Sequence, residues 1–291
     1  MTNRLSNGEQ LSRINSVDLC VETFGNPAHP AVLLIDGAAA SMVWWEAGLC
    51  ERIAAAGRFV IRYDNRDTGR STGYPTGRPG YSMTDLAEDA VGILDALGID
   101  RAHVVGRSLG GRIAFIVGVD HPERVASLTF VSTSAGLGDL PAASDEPNEP
   151  DEPAEQTPDL TDPAAVVDYI AAAAKAESGG SPHFDDSAVR ALIERDLERA
   201  TTDFASTLTN HFAMEFTSPV RGDYGDIGAP TLVVHGDHDP VFPLPHGEAL
   251  QAAIPGAGLL VLSGVGHAVL PEPVWDVFVP ALADHTAGGG R

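Results

Sequence analysis

The sequence predicts an α/β fold: a mostly parallel central sheet with helices on both faces and an inserted helical cap. Three observations predict it. Short β-branched runs alternate with longer amphipathic stretches along most of the chain. Several of those runs are continuously apolar rather than alternating, which suits strands covered on both faces. The alternation breaks near residue 135 and resumes only at Thr231, and helical patterns fill the gap.

The strands come first. Asp18 to Phe24 alternates, and is expected to pair with a neighbouring N-terminal strand. Ala31 to Ile35, Phe59 to Tyr63, His103 to Val105, Leu128 to Val131, Thr231 to Val234 and Leu259 to Leu262 complete the set. Of the helices, one opens at Ser82 with Asp85 three residues on, a capping-box spacing, and ends at Gly98. Leu109 to Val119 is apolar enough to be buried, and Val274 to Ala283 is the last helix, bent or shortened by Pro280. Residues 136–163 are rich in Pro, Asp, Glu, Ala and Ser and predict a flexible loop. Ala164 to Ala176, Ser187 to Ala200 and Thr202 to Phe216 are helical patterns. The expected organisation is a core of residues 1–135 and 226–291 with a cap or lid over 136–225.

Bulk properties narrow the function. The 291 residues can bury one large core plus a small insertion. A net charge of -23 repels phosphate backbones and anionic membranes, so neither nucleic acid nor a membrane is expected as partner. Nine acids and no Lys or Arg between Asp139 and Asp162 read as a solvated loop. No apolar run approaches the roughly 18 residues of a membrane span. The polar start, Met1 to Leu11, has no apolar secretory core, so a cytoplasmic protein is expected. Cys20 and Cys50, the two cysteines, read as buried free thiols, and no metal motif is present. The oligomeric state is left open.

The chemistry lies in three loops. Gly106-Arg107-Ser108-Leu109-Gly110 follows an apolar strand and opens an apolar helix, the strand–turn–helix context of a nucleophile elbow. Its glycines carry no side chain to collide with the neighbouring elements, and Ser108 sits at a helix N-terminus, where N–H groups face developing negative charge. A serine needs a base, and the base needs an orienting carboxylate. The chain order Ser, acid, His is met by His238-Asp239-Pro240 after the Thr231 strand, then Gly264-Val265-Gly266-His267 after the Leu259 strand. The predicted nucleophile, acid and base are Ser108, Asp239 and His267. Asp237, the rival acid, reads as a turn stabiliser. His235 and His238 share the acid loop, and His183 and His211 fall in the cap; structural or surface roles compete with function at each.

These segments resemble the α/β-hydrolase superfamily and, within it, the aclacinomycin methylesterase-like serine esterases. The resemblance rests on Ala31 to Gly37, Asp100 to Gly106, His238 to Pro240, Gly264 to Ala268 and above all Arg62-Tyr63-Asp64-Asn65-Arg66-Asp67-Thr68-Gly69-Arg70-Ser71, the most branch-specific run. It covers roughly the first 135 and last 65 residues. It implies an α/β-hydrolase fold and a cofactor-free serine esterase, with Ser108, Asp239 and His267 as triad and the Ala38 and Leu109 N–H groups as oxyanion hole. It implies only loosely a methyl ester or lactone of a hydrophobic polyketide-like metabolite.

Two residues depart from that pattern: Asp36 where the superfamily often has His, and Arg107 before the nucleophile. A carboxylate near an oxyanion site is unfavourable unless paired or turned away. Arg107 is therefore expected to neutralise Asp36 or another buried acid; the competing reading sends both side chains to solvent. Trp44, Trp45, Phe204, Leu208, His211 and Phe212 are candidate pocket residues, with Met214 and Phe216 on the same helical pattern, though helical spacing does not separate pocket from packing. Such an apolar, aromatic-flanked pocket would suit a bulky hydrophobic ester, so a small-molecule ester of that kind is the expected substrate. Because one fold hosts many chemistries, a lyase, decarboxylase or perhydrolase remains an alternative, as does a ligand-binding receptor on the same scaffold.

Overall fold

The structure is a computed structural model that describes residues 8–136, 158–215 and 220–288. Its strands are β1 (Gln10–Ile14), β2 (Val17–Phe24), β3 (Ala31–Ile35), β4 (Phe59–Tyr63), β5 (Ala102–Arg107), β6 (Val125–Val131), β7 (Thr231–Gly236) and β8 (Gly258–Leu262). They form one sheet in the order β1-β2-β4-β3-β5-β6-β7-β8. β1, the expected N-terminal partner, pairs antiparallel with β2, and β2 with β4; every later pairing is parallel.

The helices are α1 (Ala47–Ala55), α2 (Met83–Leu97), α3 (Leu109–Asp120), α4 (Pro163–Glu177), α5 (Asp186–Arg199), α6 (Phe204–Ala213), α7 (Leu244–Ala253) and α8 (Trp275–His285). Successive strand side chains point to opposite faces, and the two cores follow that alternation. Leu33 and Ile35 join Val104 and Val233 under α2, α3 and α7. Val32 and Leu34 join Val105 and Val234 under α1 and α8, around Leu49, Ile53, Trp275 and Phe278. Strands covered on both sides have no solvent face, which is why β3 reads as a continuous apolar run and why every residue of β3, β4 and β6 is buried, Arg62, Ser127 and Thr129 included.

The expected boundaries shift by a residue or two where an aspartate caps the helix. Asp162, Asp185 and Asp203 each accept a backbone N–H from the first turn of α4, α5 and α6, and α6 accordingly starts at Phe204 rather than Thr202. The capping box at Ser82 and Asp85 is formed, and Gly98 ends α2 in the left-handed conformation. Pro280 stands inside α8, which continues through it. α1 and α7 had no sequence-level counterpart.

Helices α4, α5 and α6 fall in chain order between β6 and β7. α4 and α5 pack through Val167, Ala171, Ala174, Val189 and Ile193 and touch Ala268 of the loop after β8, and α6 is tied to the loop after β4 by Thr207, Asn210 and His211. Polar contacts bring them to the carboxyl edge of the sheet: Arg199 to Asp64 after β4, Asp196 to Ser41 after β3, and the His267 N–H to the Glu177 carbonyl. Residues 137–157, most of the acidic stretch, lie outside the described residues.

Candidate active site

The centre of the site is the sharp turn between β5 and α3. Ser108 is a non-glycine residue at φ 50°, ψ -119°, a strained backbone held by its surroundings. Its N–H donates to the Val131 carbonyl (3.0 Å), and its carbonyl accepts from Gly111 N and Thr133 Oγ1 (2.8 Å each). The flanking glycines are steric necessities: a Cβ at Gly106 would overlap the Gly110 carbonyl, and one at Gly110 would overlap the Ile35 carbonyl.

Ser108 Oγ lies 3.0 Å from His267 Nε2, and His267 Nδ1 lies 2.9 Å from Asp239 Oδ2. The other oxygen of Asp239 accepts the N–H groups of Val241 and Phe242 at 2.9 and 2.8 Å, which fixes the carboxylate toward the imidazole. The rival acid lies elsewhere: Asp237 Oδ1 takes the Gly264 N–H (2.6 Å) and braces the turn that leads to His267. His235 Nε2 donates to the Phe242 carbonyl (2.6 Å), and burial lowers its pKa.

The two sequence-predicted oxyanion donors flank the serine. Leu109 opens α3, where N–H groups have no intrahelical acceptor. Ala38 lies opposite; a Cβ on its neighbour Gly37 would come within 3.3 Å of Ser108 Cβ. Hydrogen bonds fix the chain on either side of Ala38. Gly37 N donates to Asp36 Oδ1 (2.6 Å), and Ala39 N, at a positive φ of 56°, donates to His211 Nδ1 (3.0 Å).

That contact corrects one expectation. His211 does not line the pocket: it is fully buried, and its Nε2 donates to the Arg66 carbonyl (2.8 Å). The carbonyl requires the proton on Nε2 and the Ala39 N–H requires a bare Nδ1, so the ring is the neutral Nε2–H tautomer. Burial lowers its pKa in the same sense. Trp45 is the second correction. Its side chain is 1% exposed and belongs to the core beneath α1 and α8, because it follows a short helical turn that sends Trp44 and Trp45 in different directions.

Trp44, Phe204, Leu208 and Phe212 do line a cavity of about 440 Å³ that opens on Ser108, His267, Gly37 and Ala38. Met214 is core instead, and Phe216 lies outside the described residues. Two acids that no sequence motif marks, Glu177 and Asp196, stand in the cavity wall. Asp196 accepts from Ser41 Oγ (2.5 Å) and Trp44 Nε1 (2.8 Å), and burial pushes it up to about 6. Burial likewise raises Glu177, against the pull of His267 and Arg107.

Asp36 and Arg107 do not reach solvent. Arg107 Nη2 and Nε meet Asp36 Oδ1 at 2.6 and 3.0 Å, and both side chains are at most 4% exposed. Burial pushes the Asp36 carboxyl up and the guanidinium pulls it back. Arg66 and Arg70 are also paired, with Asp89 and Glu9. Cys20 and Cys50 are buried thiols, each pushed up to about 12 by burial. Among the described residues no three His, Cys, Asp or Glu side chains form a metal-binding group, and no helix is long and apolar enough to cross a membrane.

Known proteins resemble the chain along its length. The family model described as alpha/beta hydrolase fold matches residues 30–273. The rhodomycin D methylesterase DauP of Streptomyces sp. (strain C5) is 34% identical over 94% of this chain and 96% of its own. The rhodomycin D methylesterase DnrP of Streptomyces peucetius is 32% identical over the same shares. Among solved structures, a hydrolase from Pseudomonas aeruginosa PA01 superposes with a TM-score of 0.70 at 25% identity, covering 97% of this chain and all of its own.

Proposed function

This chain belongs to the α/β-hydrolase family and is a carboxylic ester hydrolase, and we propose that it cleaves a methyl ester of a bulky, hydrophobic, polyketide-like metabolite through a Ser108–His267–Asp239 triad. The observation that carries the reading is the unbroken chain of contacts from Ser108 Oγ through His267 to Asp239, at 3.0 and 2.9 Å. The substrate class is supported by the methylesterase relatives and by the apolar, aromatic walls of the cavity.

The chemistry is acyl transfer. His267 Nε2 accepts the Ser108 hydroxyl proton as Oγ attacks the ester carbonyl. The tetrahedral oxyanion is held by the N–H groups of Ala38 and Leu109, fixed before the charge develops. Asp239 holds Nδ1–H and stabilises the imidazolium. Methanol departs with the proton from His267, and a water activated by the same nitrogen frees Ser108. No cofactor is needed. Helices α4, α5 and α6 act as the cap: they wall the cavity over the acyl group, so water reaches the site by a restricted path.

The test is a methyl-ester panel with methanol release as readout. The native chain is expected to favour aromatic polyketide-type methyl esters over small aliphatic ones. Ser108→Ala and His267→Ala each lose about three orders of magnitude or more in kcat. A fluorophosphonate labels Ser108 one to one in the native chain. Turnover by Ser108→Ala at the native rate sinks the triad; a preference for small aliphatic esters sinks the substrate class.

A further inference from the structure

We propose that the buried Arg107–Asp36 pair is a positioning device that holds the oxyanion loop, the nucleophile elbow and the histidine loop in register. The proposal rests on the triad reading above. Three loops from three strands meet at this pair. Asp36 follows β3, Arg107 ends β5, and Ala268, next to His267, follows β8. β3 and β5 are neighbours, with Ile35 opposite Gly106, so the sheet itself brings Asp36 beside Arg107. β8 is remote from both, because β6 and β7 lie between. The Arg107 side chain spans that gap: Nη1 donates to the Ala268 carbonyl at 2.6 Å.

The same guanidinium sends Nε and Nη2 to Asp36 Oδ1, and that oxygen also takes the Gly37 N–H at 2.6 Å. Gly37 packs against Ser108 and precedes Ala38, so the carboxylate holds the peptide that leads into Ala38. One planar, rigid fork thus ties the donor of the oxyanion hole to the peptide after the base. Trp45 lies 5.7 Å from the guanidinium carbon and covers its face. A compact, flexible ammonium could supply charge here but not three aimed donors.

Stability alone does not account for the pair. Buried ion pairs are often no better than apolar residues of equal volume, so a purely structural demand would be met by two aliphatic side chains. What aliphatic side chains do not supply is directed hydrogen bonds between loops. Each partner also requires the other, since either one alone is an uncompensated buried charge.

The experiment compares native chain, Arg107→Lys, Asp36→Asn and the double variant Asp36→Leu/Arg107→Leu, with kcat, KM, thermal midpoint and the rate of fluorophosphonate labelling of Ser108. The double variant is expected to keep a thermal midpoint near the native one while kcat falls about 10- to 100-fold through misplacement of the reacting groups. KM changes less than about threefold, and labelling slows in step with kcat. Arg107→Lys keeps part of the rate; Asp36→Asn leaves the guanidinium without its counter-charge and lowers the thermal midpoint, but it retains an acceptor for Gly37 and Arg107 and keeps more of kcat than the double variant. Native kcat in a folded double variant overturns the proposal. So does a loss that appears in KM with kcat and labelling unchanged. If the double variant does not fold, the single variants decide: a native kcat in Arg107→Lys overturns the proposal, and a reduced kcat at unchanged KM in a folded Arg107→Lys upholds it. Failure of the triad reading looks different, because the native chain itself would then resist labelling and Ser108→Ala would still turn over.

Discussion

At the scale of single residues, the candidate site divides by how far each residue acts. Ser108 was legible because its demands are local: a strand before it, a helix after it, and a glycine two positions away on each side where a Cβ would strike backbone. Asp239 and His267 were legible by order and by their place just past a strand. His211 was not. Its partners, Ala39 and Arg66, lie 172 and 145 residues away in sequence, and helical spacing carried no sign of them. It nonetheless holds the peptide next to a proposed oxyanion donor. His211→Phe leaves the Ala39 N–H and the Arg66 carbonyl unpaired at a buried site, at a cost of about 1–3 kcal/mol each. The expected outcome is a lower thermal midpoint and a kcat reduced about tenfold, checked by calorimetry and steady-state ester hydrolysis. A His211→Phe chain with native kcat shows that the loop keeps its shape without the imidazole.

At the scale of elements, the branch-specific run 62–71 finds a physical explanation. It is a docking station between sheet and inserted helices. Asp64 accepts both Arg199 Nη groups (3.0 and 2.9 Å) and the Met42 and Arg70 N–H groups (2.9 Å each). Asp67 accepts from Tyr81 Oη (2.8 Å) and Asn210 Nδ2 (2.9 Å), and its carbonyl accepts from Thr207 Oγ1 (2.6 Å). Gly69 is at φ 51°, and a Cβ there would strike Asp64 and Arg199. The motif was visible in sequence; its partners were not, because α5 and α6 showed only apolar periodicity. Asp196 docks α5 in the same region and makes that contact sensitive to pH. Its carboxyl is at about 6 in the folded chain against a reference of 3.8, so the folded state binds the extra proton between those values. Stability from this group therefore falls as pH rises from about 4 to about 6 and is level above that. Asp196→Asn removes the titration. Its thermal midpoint is expected to gain on the native chain across that window, and parallel pH curves for the two chains would show that the carboxyl titrates as it does in the unfolded state.

At the scale of the whole molecule, the excess of acid governs behaviour that no single contact explains. A net charge of -23 repels itself in the compact state, and salt screens it over a Debye length of roughly 10 Å at 0.1 M. Raising sodium chloride from about 0.02 to 0.3 M is expected to raise the thermal midpoint by a few degrees. A falling midpoint would mean that attractive pairs such as Arg62–Glu22 and Arg199–Glu9 outweigh the repulsion.

Sequence by itself determined the α/β class, the order of the strands from β2 onward and of α2, α3, α4, α5, α6 and α8, and the identity of the proposed serine, acid and base. These depend on periodicity, turn chemistry and chain order, which are short-range properties of a polypeptide. Only tertiary structure decided which aromatic residues face the cavity, that His211 braces a loop, and that Arg107 reaches Asp36 and Ala268 at once. Those outcomes depend on strands far apart in sequence meeting at one sheet edge, where the geometry of the fold selects the partners.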